Sequence, residues 1–181
     1  LYEMANGYHY GWEAVASFYE ATACKKVKFN TEIVFGEDLL FRYEFNKVND
    51  GLYIYQYLPK YHYYTRESSA VNSYSVYKKV DDLKVLELIM SKVNKVTRNI
   101  LYQKDYLPRL ITYYRLGKAS SDERDLAVSH ELFKKIKKEF TSVIFDHSIP
   151  ITLKIKMAAC FLPISIINKM YFIYICIKGK K

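Results

Sequence analysis

The sequence predicts a mixed α/β fold followed by a helical C-terminal extension, on three observations. Residues 10–25 and 38–48 space their apolar side chains three and four apart, the period of an amphipathic helix. Residues 52–58 and 61–65 are rich in Tyr and Ile on either side of Pro59, a strand-like composition. Beyond residue 80 the helical period returns and persists.

In the first helical stretch Trp12, Val15, Ala16, Tyr19 and Ala23 share a face, and residues 27–29 read as a short extended piece. A loop containing Gly36 leads to a second helix over residues 38–48, striped by Leu40, Phe41, Phe45 and Val48. Asp38 in its first turn favours the positive end of the helix dipole. Asn49-Asp50-Gly51 marks a turn, and the two strand candidates follow, then a polar loop over residues 68–77. Asp81 or Asp82 is placed to cap one long helix carrying Leu83, Leu86, Met90, Val93, Ile100 and Leu101. Pro108 suits the first turn of a short helix ending near Gly117. Ser120 and Glu123 have capping-box spacing for a further helix that runs into Lys134, Lys135, Lys137 and Lys138. Residues 157–177 are strongly apolar but contain Pro163, Asn168 and Lys169. Buried Asn and Lys are costly at bilayer depth, which favours an interfacial or core-docked helix pair broken at Pro163 over a membrane span. The expected organisation is an N-terminal portion over residues 1–78, a helical extension over 79–147 and a basic, apolar tail over 148–181.

Net charge is +9 with pI near 9.2, and it is localised. In residues 132–181 ten Lys face only Glu139 and Asp146, a local balance of +8 without Arg. A nucleic-acid interface would interleave Arg with aromatic residues through a folded face, so no nucleic-acid partner is expected. Lys beside apolar runs suits an anionic membrane surface, with Lys134, Lys135, Lys137, Lys138, Lys154 and Lys156 as its contacts. Cys24, Cys160 and Cys176 have neither redox nor metal spacing, which points to a reduced, cytoplasmic setting. The chain opens on Leu1, and residues 1–7 do not look like a domain start, so it is expected to belong to a longer polypeptide. Nineteen Tyr among 181 residues supply amphipathic rings suited to a wet groove or a membrane edge, though a coding bias explains them equally well.

Glu37-Asp38 is the stretch with chemical content. By residue type alone Asp38 is a helix cap. Its surroundings add more: Trp12 on a helix, Phe29, then Gly36-Glu37-Asp38 with Phe41, then Tyr61, Tyr63, Tyr64, Arg66 and Ser69. Over residues 8–75 this order resembles the acceptor-side half of family 2 glycosyltransferases. It departs from them where Ala14 and Ala16 follow Trp12, at positions where members often carry Lys and Tyr. The resemblance implies a partial GT-A-type nucleotide-sugar transferase domain at the front of the chain. It assigns Asp38 as the base on the acceptor hydroxyl, supported by Glu37, and it places Trp12, Tyr64 and Arg66 at the acceptor. A carboxylate within hydrogen-bond reach of a hydroxyl can serve as such a base. A complete enzyme of this kind would use Mg or Mn on the nucleotide-sugar donor. This chain contains neither an Asp-x-Asp motif nor a Gly-rich phosphate loop. It is therefore expected to lack donor and metal sites and to be inactive alone, its activity belonging to a whole protein that glycosylates a glycan or lipid-linked acceptor for surface polysaccharide. The expected location is peripheral, at the inner face of a bacterial plasma membrane. The competing expectation is a non-catalytic helical module that binds a membrane surface.

Overall fold

A computed structural model describes residues 17–49, 51, 64, 75–163 and 166. Among these residues every regular element is a helix, and there is no strand or sheet. The α/β, GT-A-like expectation is corrected accordingly. A strand persists only where neighbouring strands take its N–H and C=O groups, and no described segment supplies that partner. Residues 27–29, the first extended candidate, lie in a loop. The Tyr-rich candidates at 52–58 and 61–65 fall outside the described residues except for Tyr64.

Two compact units make up the chain, Leu1–Tyr106 and Leu107–Lys181. The first contains α1 (Ala21–Cys24), α2 (Glu37–Val48), α3 (Val76–Lys79), α4 (Asp81–Lys92), α5 (Lys95–Leu101) and a π-helical turn, Tyr102–Tyr106. Of the helix expected over residues 10–25, the described part retains one turn. Glu20 ends it from the N-terminal side: its carboxylate accepts from the Thr22 and Ala23 amides at 2.9 and 2.7 Å, which makes it the N-cap. Residues 10–16 lie outside the described residues.

Helix α2 starts one residue before its predicted position and is buried on more than one side, at Leu39, Leu40, Phe41, Tyr43 and Phe45. It packs on both α1 and α4. Helix α4 supplies the centre of this unit through Leu83, Val85, Leu86 and Ile89, all at most 1% exposed. Each such side chain contributes about 1.5–3 kcal/mol by leaving water. The single long helix expected after residue 80 is instead two. Asn94 accepts from the Thr97 amide at 2.9 Å and opens α5, while Arg98 Nε donates to the Met90 carbonyl at 2.7 Å and satisfies the frayed end of α4. Asp81 and Asp82 lie in the first turn of α4, one position inside its Val80 cap. The π turn immediately precedes Leu107-Pro108. Pro108 has no N–H to donate within a helix.

The second unit is α6 (Leu107–Ala119), α7 (Glu123–Phe145) and α8 (Ile151–Ala159), packed pairwise. Its core joins Leu107, Leu110 and Tyr114 to Leu132, Ile136, Val143, Met157 and Cys160. The short helix expected to open at Pro108 and end near Gly117 is α6, which ends two residues later, at Ala119; Gly117 has a packing role besides. It is buried within α6, where an added Cβ would stand 2.8 Å from the Asp125 carbonyl oxygen and 3.0 Å from Ser129 Cβ. The cap of α7 is also displaced from Ser120. Asp122 caps the helix by accepting from the Arg124 amide at 2.8 Å, and Ser120 instead donates to the buried Asp125 carboxylate at 3.0 Å. Helix α8 begins ahead of the 157–177 segment and stops at Ala159, before Pro163; apart from Ile166, the second half of the expected helix pair lies outside the described residues. No described helix is long and apolar enough to cross a membrane.

Candidate functional site

The site begins at Gly36, whose φ of +85° is in the left-handed region that glycine adopts without steric cost. A Cβ at this position would lie 3.0 Å from Asp82 Cα. The starts of α2 and α4 therefore meet at Gly36, and Glu37, Asp38, Asp81 and Asp82 all sit in first turns. Carboxylates there are favoured by the helix dipoles. Asp81 is engaged by Lys84 at 2.8 Å, and Asp82 is 3% exposed. Glu37 and Asp38 are half-buried.

Behind this junction lies an aromatic cluster. Phe29 stacks on Phe41 with centroids 4.3 Å apart and planes within 1°. Tyr19 meets Phe41 and Phe45 edge-on at 5.4 and 4.9 Å, and Ala23, Val27 and Val48 complete the packing. Offset and edge-to-face aromatic pairs add about 0.5–1.5 kcal/mol each beyond area burial, and through Phe41 and Phe45 they anchor the helix whose first turn carries Asp38.

Two polar groups enter this site that sequence reasoning missed. Arg42, four residues after Asp38 and so on the same face of α2, is 7% exposed. The Tyr19 phenol is pushed up by burial, against a hydrogen bond from Ser17 and the Arg42 charge, and Asp38 pushes it further. Tyr19 is thus within electrostatic reach of both Asp38 and Arg42. The Asp38-x-x-x-Arg42 spacing was the available signal, whereas Tyr19 was read only as part of an apolar stripe.

Of the expected acceptor residues, Tyr64 is 80% exposed, while Trp12 and Arg66 lie outside the described residues. The Lys cluster divides by its surroundings. Lys134 is held by Glu131 at 2.7 Å, and Lys137 sits 4.6 Å over the Phe133 ring. Lys138 is exposed and Lys135 half-buried on the same helix. Lys154 and Lys156 belong to α8. Among the described residues no group of three His, Cys, Asp or Glu side chains could hold a metal.

No family model, curated protein or solved structure matches this chain. The likeness to family 2 glycosyltransferases therefore rests on the motif residues themselves.

Proposed function

We propose that the chain is the C-terminal, acceptor-side portion of an inverting glycosyltransferase that acts in surface polysaccharide synthesis at the inner face of a bacterial plasma membrane. The supporting observation is the Phe29–Phe41 stack: two aromatic positions of the motif meet directly behind the turn that carries Glu37 and Asp38. A general base must be held in place to be effective, and Phe41, three residues after Asp38 on the same helix, anchors that helix in the aromatic cluster. Asp38 takes the proton from an acceptor hydroxyl as its oxygen bonds to the anomeric carbon from the face opposite the leaving group. The nucleoside diphosphate departs with the electrons of the broken C–O bond, and the anomeric centre inverts. Glu37 helps to shape the acceptor pocket, with Trp12, Tyr64 and Arg66 contacting the acceptor. The donor half lies beyond these 181 residues, so the chain alone does not transfer sugar.

The second reading, a non-catalytic helical module at a membrane surface, is favoured by the all-helical character of the described residues. One experiment separates the two. An antibody against this chain captures the native protein from its source cells, which is weighed intact and assayed for transfer of labelled sugar from nucleotide-sugars to envelope extract. Transfer by a longer polypeptide supports the transferase. A product of 181 residues without transfer overturns it and leaves the module.

A further inference from the structure

Helix α8 has two apolar faces. Leu153, Met157 and Cys160 point into the second unit, at 8%, 0% and 1% exposure. On the opposite side Ile151 and Ile155 stand out at 67% and 57% exposure, with exposed Ala158 completing an i, i+4, i+7 strip. At 100° per residue, Lys154 falls beside that strip and Lys156 about 100° beyond its other edge. Phe161 and Leu162, 43% and 37% exposed, follow at the helix end. Isolated exposed apolar residues are ordinary, but an ordered strip with Lys154 at its edge is a distinct pattern. Its stretch of chain is strongly basic: residues 147–181 include no Asp or Glu and six Lys, with Asp146, which interacts electrostatically with Lys154, just before it.

We infer that α8 is a membrane-contact helix, whose Ile151–Ile155–Ala158 strip seats at the acyl boundary of an anionic lipid surface while Lys154 and Lys156 meet the headgroups. A nine-residue helix cannot cross a bilayer, but an interfacial helix needs only a shallow apolar strip and flanking cations. The excess of Lys over carboxylates along this stretch selects an anionic partner. The lysines of α7 are less suited to this contact, since Lys134 is engaged by Glu131 and Lys137 by the Phe133 ring. The inference rests on the peripheral attachment proposed above and is independent of the transferase chemistry.

The test is co-sedimentation of the full chain with phosphatidylcholine vesicles, with and without about one quarter phosphatidylglycerol. Circular dichroism confirms that each variant stays folded. Binding is expected to require the anionic lipid and to weaken at least tenfold in Ile151→Ser/Ile155→Ser. Lys154→Gln/Lys156→Gln should also weaken it and flatten its salt dependence, as expected for lost charge contacts. If the isoleucine variant binds like the parent while Lys134→Gln/Lys138→Gln does not, the contact belongs to α7 and the role of α8 is refuted, although peripheral attachment survives. If the parent ignores anionic vesicles, both fail. If the parent ignores vesicles but forms a dimer that the isoleucine variant cannot, the strip pairs with a second copy and the lipid assignment is overturned.

Discussion

Replacing Gly117 with Ala should loosen the second unit by a calculable amount. The new methyl group would stand 2.8 Å from the Asp125 carbonyl oxygen and 3.0 Å from Ser129 Cβ. The first neighbour is backbone within α7 and cannot swing aside, so either α6 or α7 must shift. Overpacking of this kind costs about 1–3 kcal/mol, and a backbone clash belongs toward the upper end. Alanine returns about 1 kcal/mol through its better helix propensity. The net loss is then about 2 kcal/mol, or roughly thirtyfold in the opening equilibrium. Hydrogen exchange of the full chain, followed on peptides from Glu123–Phe145, reports that opening locally. Exchange in this helix should accelerate by about that factor, while peptides of α4 keep their rates. Unchanged or slower exchange in α7 would refute the claim that Gly117 is required by close helix approach.

Two further predictions concern titration and reactivity. Hydrogen bonds from the Arg124 side chain and amide hold Asp122 down to about 2, from an ordinary value of 3.8. Because its folded value is depressed, its stabilisation is complete above about pH 3.8 and disappears as pH falls through about 2. A carboxyl NMR titration should show the low midpoint, and Asp122→Asn should flatten the stability profile between those values. Burial pushes the Cys160 thiol up to about 11, against the opposing charges of Arg115 and Lys118. Iodoacetamide at pH 8 should therefore leave Cys160 unmodified in the folded chain and alkylate it in urea, as read by peptide mass mapping. Rapid folded-state labelling at Cys160 would contradict its burial against Met157.

The parts of the fold legible in the sequence were those set by strong local periodicity or by proline. The limits of α2 and the stop of α8 before Pro163 follow from apolar spacing and from the missing proline N–H. The break between α4 and α5 was harder to see. The apolar pattern runs on through Val93, but Asn94 offers its side chain to the Thr97 amide and Arg98 takes the Met90 carbonyl, so local hydrogen bonds outweigh periodicity. The end of α6 near Gly117 was legible because glycine so often sits at helix ends, but the close approach of α7 at Gly117 depends on a neighbouring helix that sequence spacing does not show. The sheet was inferred from composition alone, and strand propensity is largely a statement about packing partners. At the candidate site, Glu37 and Asp38 were legible from their junction before an apolar helix. The convergence of Tyr19 and Arg42 on that junction was not, because it depends on how α2 packs.

The central claim is that Asp38 is the base of a glycosyl transfer, and its most direct test is Asp38→Asn in the full-length protein. The exchange keeps size and the first-turn position but removes the proton acceptor. General-base removal costs typically 10²–10⁴ in rate. The expected result is a loss of kcat of at least about 100-fold, with acceptor KM and vesicle binding unchanged. Transfer at an undiminished kcat would contradict the claim and reduce Asp38 to a residue of the first turn of α2.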